Sequence, residues 1–247
     1  MDMKPILLLL LVLTPIHAQR PRSVLYDFRK ENASAPQKIT PAVERDVLRK
    51  VFRRYHTDPK KCSDAIDAGE EFLAAARKAG QIVPDIAEAV TGSFTAAGQT
   101  ETAYLIYVNE CNASHADNFG SKRVAIFNGT RLVADVDADF KGNFASKTDL
   151  NMDGIDELLM TSSYMNQGEL TVMAALVSFQ DGRMSVVQDF NAVVMDNCAS
   201  GRPGSTTKAA VLSMANAALG QMPKIRADNF VAGCGNVRRW RPFKGEM

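Results

Sequence analysis

The sequence predicts an α+β protein in which an N-terminal helical hairpin precedes a predominantly antiparallel β-meander. Three observations carry this expectation. Apolar residues recur at three-and-four spacing between residues 40 and 80, they alternate with a period of two from Asp85 onward, and short glycine-containing turns punctuate the alternating stretch.

The first residues, "MDMKPILLLLLVLTPIHAQ", place Lys4 before an unbroken apolar run from Ile6 to Leu13, then Pro15 and the small residue Ala18. This order of charge, apolar core and small residue is that of a secretory signal peptide, and the run is far short of the ~20 residues of a membrane-spanning helix. Residues 1–18 are therefore assigned to the signal, with cleavage near Ala18 and a secreted or periplasmic destination. No second long apolar segment follows, so no membrane span is expected. Residues 19–39 mix charge, proline and small polar residues without a period and read as an extended or disordered lead.

The helical hairpin occupies residues 40–80. Thr40 caps a first helix that opens on Pro41, and Val43, Val47, Leu48, Val51, Phe52 and Tyr55 form its apolar stripe. A second helix is expected from Ser63 or Asp64 to Gly80, with Ile66, Phe72, Leu73 and Ala76 turned inward. Residues 81–247 form the β-rich domain. "EAVTGSFT" and "ETAYLIYVNE" flank a turn at Gly98, while "KRVAIF" and "TRLVADV" flank Asn128-Gly129, which suits a type I′ hairpin turn. "ELLMTSSYM", "ELTVMAALVSF" and "MSVVQDF" continue the meander, with a turn at Asp181-Gly182. The stretch from Ser205 fits a helix by its alanines or a strand by its position, and its start is read as a strand; "KIRADNFVAGC" follows as another.

Composition narrows function. A formal net charge of +1 over 247 residues lacks the strongly basic face of a nucleic-acid binder. The basic runs at Arg49–Tyr55 and Arg238–Lys244 read as solvated faces beside apolar anchors. Cys62, Cys111, Cys198 and Cys234 suggest two disulfides in an exported chain. Sequence leaves three connectivities open; pairing neighbours in chain order gives Cys62 with Cys111 and Cys198 with Cys234. Asn32, Asn112 and Asn128 stand in N-glycosylation sequons.

The chemistry-bearing stretch is "KTDLNMDGIDELLM", Lys147 to Met160. Counted from Asp149, side-chain oxygens fall at positions one, three and five (Asp149, Asn151, Asp153), Gly154 at six permits a sharp turn, Ile155 at seven offers a carbonyl, and Glu157 closes the set at nine. In a curled loop every second side chain converges, and a divalent cation relieves the repulsion between carboxylates held so close. Asp156 falls outside that alternation. An EF-hand is excluded because Met160 stands at position twelve and the flanks read as strands. The stretch resembles the calcium loops of FG-GAP and VCBS-type repeats, D-x-N-x-D-G-x-x-(D/E) between two strands, with Met152 where such repeats usually carry glycine. The resemblance implies a bound Ca²⁺ held by Asp149, Asn151, Asp153, Ile155 and Glu157. Only one copy occurs, so a repeat-built propeller is not expected.

For catalysis, His115 in "ASHADNFGS" lies near Ser114, Asp117 and Ser121, but no nucleophile elbow accompanies it, and no phosphate-cradling or dinucleotide glycine motif occurs. The expectation is an exported calcium-binding protein acting as a non-enzymatic binding or interaction module, with a protein or glycan partner that the sequence does not name. The other readings are an exported hydrolase using the His115 loop and a purely structural envelope protein.

Overall fold

A computed structural model describes residues 23–30, 37–57, 80–110, 121–139, 142–215, 218–235 and 238–247. In chain order these form β1 (Ser23–Asp27), α1 (Pro41–Val51), β2 (Ile82–Gly92), β3 (Glu101–Glu110), β4 (Ser121–Asn128), β5 (Arg131–Asp139), β6 (Asn143–Thr148), β7 (Glu157–Asn166), β8 (Glu169–Ser178), β9 (Ser185–Asp196), β10 (Thr206–Met214), β11 (Ile225–Gly233) and β12 (Arg241–Pro242). The strands make two antiparallel sheets. One has four strands in the order β2-β3-β4-β5; the other has eight, in the order β12-β11-β10-β9-β8-β7-β6 with β1 added alongside β10.

This corrects the expected helical hairpin followed by a simple meander. Among the described residues a single short α-helix is present, beside two one-turn 3-10 helices, and the chain is a mostly antiparallel β protein whose larger sheet curls as a half-barrel. The helix stripe was rightly apolar, but its partner is a sheet: Val47, Leu48 and Phe52 pack on Ile82, Ile106, Val108, Ala125 and Phe127 of the four-stranded sheet. The second expected helix, Ser63 or Asp64 to Gly80, falls largely on residues outside those described.

Local chemistry accounts for α1. The Thr40 hydroxyl accepts the Val43 N–H at 3.4 Å, Pro41 opens the first turn, and Phe52, extended beyond the last turn, donates its N–H to the Leu48 carbonyl. Lys50 pairs with Asp46 at 2.7 Å and donates to the Thr130 carbonyl at 2.8 Å, which fastens the helix to the β4–β5 turn. That turn differs from the expected one. Asn128 pairs with Arg131, and Gly129 alone takes positive φ (59°), so the central residues are Gly129 and Thr130, the glycine-first arrangement of a II′ hairpin.

The two sheets pack face to face through Phe94, Ala103, Leu105, Val124 and Ile126 on one side and Leu158, Met160, Ala175, Val177 and Phe179 on the other. The opposite face of the larger sheet is buried too. There Leu159, Ala174, Leu176, Phe190, Val193, Ala210 and Leu212 gather, covered in part by Leu25, Tyr26 and Phe28. Consecutive residues of β7 and β8 thus point into different cores, and Glu157 through Thr161 are all buried. A simple meander with one wet face would alternate instead.

The curl has a local origin. Against β8, β9 jumps register between the pairs Val172↔Val194 and Ala174↔Phe190, a bulge that increases twist. β9 then follows β10 only at Thr207–Ala209, and β1 takes over the same edge at Val211–Met214, while β11 covers the other edge throughout. The lead is accordingly extended over Ser23–Asp27. A Cys198–Cys234 disulfide ties the β9–β10 connection to the end of β11, matching the neighbour pairing; Cys62 and Cys111 lie outside the described residues. No helix among the described residues is long and apolar enough to cross a membrane.

The sheet-borne helix makes a direct prediction. Leu48→Ala, at a side chain only 4% exposed, is expected to lower stability by about 2–4 kcal/mol in urea unfolding, whereas Val43→Ala at the open end of the stripe should stay within about 0.5 kcal/mol.

Candidate metal centre

The acidic loop joins β6 to β7. Its first residue, Asp149, directly follows Thr148, and Glu157 opens β7 opposite that threonine in the ladder. The ends are therefore fixed by strand pairing. The loop is pinned from within by Leu150 and Ile155, 5% and 7% exposed, which act as apolar anchors.

Between these anchors the loop curls on its own side-chain oxygens. The Asp149 carboxylate accepts the N–H groups of Asp153 (3.1 Å) and Gly154 (2.9 Å). Asn151 Oδ1 also receives the Asp153 N–H at 3.2 Å, and the Asn151 amide donates to Asp153 Oδ2 at 2.8 Å. Asp153 Oδ1 accepts the Ile155 N–H at 2.8 Å. Two backbone positions allow so tight a curl. Gly154 has φ +86°, and a Cβ there would lie 2.9 Å from the Ala97 side chain; Met152 has φ +60°, the left-handed conformation that glycine adopts without strain. The position where the resembling repeats usually carry glycine thus has a glycine-like backbone here despite its methionine.

Glu157 is 3% exposed, and its Oε2 accepts the Leu150 N–H at 2.9 Å. Burial pushes its carboxyl up to about 7, the nearby Asp153 and Asp149 charges push the same way, and the Leu150 N–H opposes them. Asp149, Asp153 and Glu157 are thus electrostatically coupled, while Asp149, Asn151 and Asp153 are joined by hydrogen bonds. As the side chains stand, however, no group of three or more His, Cys, Asp or Glu among the described residues converges as a ready metal cluster.

Asp156 turns elsewhere. Its N–H donates to the Ser93 carbonyl (2.6 Å), its Oδ2 accepts the Ser93 N–H (2.9 Å), and Lys147 Nζ stands 3.6 Å away. This two-way clasp ties the acidic loop to the β2–β3 connection, and so one sheet to the other. On the opposite flank the Asn151 carbonyl accepts the Gly220 N–H at 2.7 Å from the β10–β11 connection. The clasped β2–β3 connection is itself organised by Glu101, 1% exposed, which accepts the N–H groups of Phe94 (2.7 Å) and Thr95 (2.8 Å) and the Thr95 hydroxyl.

Sequence reasoning missed Glu101 and Glu88. Both had a signal: each carboxylate sits in phase with the apolar face of its strand, Glu101 with Ala103 and Leu105, and Glu88 opposite Leu105 once a bulge at Ala87 shifts the register. His115, Ser114 and Asp117 lie outside the described residues, as do Asn32 and Asn112. Asn128 is half-buried, its amide bonded to Gln99 Oε1 at 2.7 Å. Compared with known proteins, the chain matches no family model, no curated protein and no solved structure.

The environment of Glu157 sets a pH dependence for the metal-free protein. Its folded carboxyl, at about 7, lies above the unfolded value of 4.5. Between the two the folded state keeps a proton that the unfolded chain releases, so stability falls as pH rises through this window, by about 3 kcal/mol in total. Urea unfolding in chelator from pH 4 to 8 should show this decline as the difference between wild type and Glu157→Gln; a pH-independent difference would contradict it.

Proposed function

We propose that the protein is an exported, non-enzymatic β module whose acidic loop binds one Ca²⁺, and that the ion serves to order a surface used for interaction. The observation that carries this reading is the loop's geometry: it curls through left-handed Met152 and Gly154 around the side-chain oxygens of Asp149, Asn151 and Asp153 and is closed by the buried Glu157. Asp149, Asn151, Asp153 and Glu157 would supply side-chain oxygens, and Ile155 a carbonyl. An all-oxygen set suits a hard cation, and a set that combines carboxylates, an amide and a backbone carbonyl suits calcium over the smaller, more strictly octahedral magnesium. When bound, the ion supplies charge neutralisation at a place where burial and two like charges hold Glu157 partly protonated near neutrality.

The interaction role rests on what surrounds the loop. Met152, Leu219 and Met222 are exposed apolar side chains, Leu219 to 76%. They come from the acidic loop and from the β10–β11 connection hydrogen-bonded to it. Exposed apolar residues gathered beside a binding loop favour a protein or glycan partner over chemistry at this end of the molecule. Export rests on the N-terminal sequence, Lys4, the Ile6–Leu13 run and Ala18.

Calcium is expected to raise the unfolding midpoint, adding about 2.7 kcal/mol at 100 times its Kd. Isothermal titration should show binding reduced at least about tenfold by Asp153→Ala, with Asp156→Asn close to wild type in affinity because that side chain faces Ser93. Absence of any stabilisation by millimolar calcium would sink the metal reading. Export is checked separately: mass spectrometry of protein recovered outside the cytoplasm should find an N-terminus near Gln19.

A further inference from the structure

A second site lies away from the calcium-loop donors, where the two sheets meet edge to edge. β2 pairs only with β3, and β6 only with β7, so among the described residues each has one edge without a strand partner. Both carry a bulge, at Ala87 and at Ala145. The two edges run in the same direction and are pinned at both ends. At one end Glu88 Oε2 accepts the Phe144 N–H at 2.6 Å; at the other, Asp156 clasps Ser93. Tyr107 reinforces the first pin by donating to the Gly142 carbonyl at 2.8 Å.

Between the pins is a cavity of about 520 Å³. Its walls are the consecutive residues 87–91 of β2 and 144–147 of β6, with Leu158 behind them and Gln37 beside them. A second cavity of about 400 Å³ adjoins it and shares Glu88, Phe144 and Ala145. Unpaired strand edges present backbone donors and acceptors that an extended peptide satisfies as an added strand. From Glu88 to Ser93 the edge of β2 runs about 16 Å, the length along which an extended segment of about three or four residues would lie.

The charge of the slot specifies its ligand further. Glu88 belongs to both cavities, and the groups around it are N–H donors: the Phe144 amide and, with its nitrogen turned toward the carboxylate, the Asn143 side chain at 3.2 Å. Lys30 lines the second cavity with Glu88 but stands 3.7 Å from Asp27, so among the described residues Glu88 forms no ion pair, and burial raises its carboxyl above the ordinary value. Lys147, at the far end, is already paired with Asp156. Between them the walls are mostly apolar, Ala87, Ala89, Val90, Phe144 and Ala145, with Thr91 and Ser146 as the polar members.

We propose that this slot is a peptide-binding site that takes an extended segment by strand addition, with apolar residues along its walls and an arginine or lysine at the Glu88 end. Charge complementarity selects this occupant: a guanidinium or ammonium group supplies the counter-charge that Glu88 lacks, and the strand edges supply the rest of the recognition.

The test uses the full-length protein, uniformly ¹⁵N-labelled, titrated with acetyl-Val-Arg-Val-amide and with its neutral counterpart acetyl-Val-Gln-Val-amide. The expected result is amide shifts at residues 87–91 and 144–147, affinity for the arginine peptide about tenfold above that for the neutral one, and loss of that preference in Glu88→Gln. Glutamine keeps an acceptor for the Phe144 N–H; should the variant not fold, the two peptides on the wild-type protein carry the comparison. Equal binding of both peptides, shifts confined to other residues, or none at millimolar peptide would overturn the proposal. So would sedimentation showing that the seam is closed by a second copy of the chain. Adding chelator throughout separates the outcome from that of the calcium loop.

Discussion

The burial of β7 and β8 on both faces is the constraint from which the rest of the architecture follows. A strand pair that points alternate residues into two apolar cores cannot lie at the surface, so it must be covered twice. The four-stranded sheet covers it on the Leu158, Met160, Ala175 and Val177 side. On the Leu159 and Leu176 side, the larger sheet curls back until β9, β10 and the β1 segment close over it. The bulge in β9 makes that curl possible, and the edge of β10 that β9 leaves free is the edge that β1 occupies.

Both proposed sites are placed by that core. The acidic loop is the connection leading into β7, so its last proposed donor, Glu157, is carried by a strand whose first five residues are all buried, and it shares their desolvation. The seam exists because β2 and β6 are each the last strand of a sheet, brought together when the two sheets stack. Asp156 belongs to both places: it stands inside the acidic loop, yet its hydrogen bonds reach Ser93 and close one end of the slot. Omitting it from the metal donors and assigning it to the inter-sheet clasp are two consequences of one fact, that adjacent side chains in a curled loop diverge.

Much of this was legible from residue order, and the failures have physical causes. The acidic loop between two strands, the strand beginning near Ser205 and the Cys198–Cys234 pairing were all readable, because each rests on local chemistry or on neighbours in the chain. The amphipathic stripe of α1 was readable too, but a stripe says only that a helix is covered and not by what; a sheet face and a second helix place the same demand on Val47, Leu48 and Phe52. The unbroken runs "ELLM" and "AALV" carried the signal for burial on both faces, since a meander with one wet face needs polar residues at every second position. Glu101 was within reach of period-two reading, two residues before Ala103 and four before Leu105, whereas Glu88 comes into phase with the apolar side only across the bulge at Ala87, and pairing register across a bulge is not a local property.

The proposed ion would act on this framework as a clamp more than as a reagent. The loop it would occupy is hydrogen-bonded to the smaller sheet through Ser93 and to the β10–β11 connection through Gly220. Without a cation, Asp149 and Asp153 are met by backbone N–H groups and the Asn151 side-chain amide, while burial raises the Glu157 carboxyl to about 7. The loop then keeps its curl at an electrostatic cost that grows as the solution becomes more alkaline. A divalent charge at the centre would reverse the sign of that dependence, since the fully ionised set would bind it best. The two contacts that leave the loop are made by Asn151 and Asp156, one a donor position and the other next to the buried Glu157, so tightening the centre would stiffen the Met152, Leu219 and Met222 surface and one end of the β2–β6 seam together.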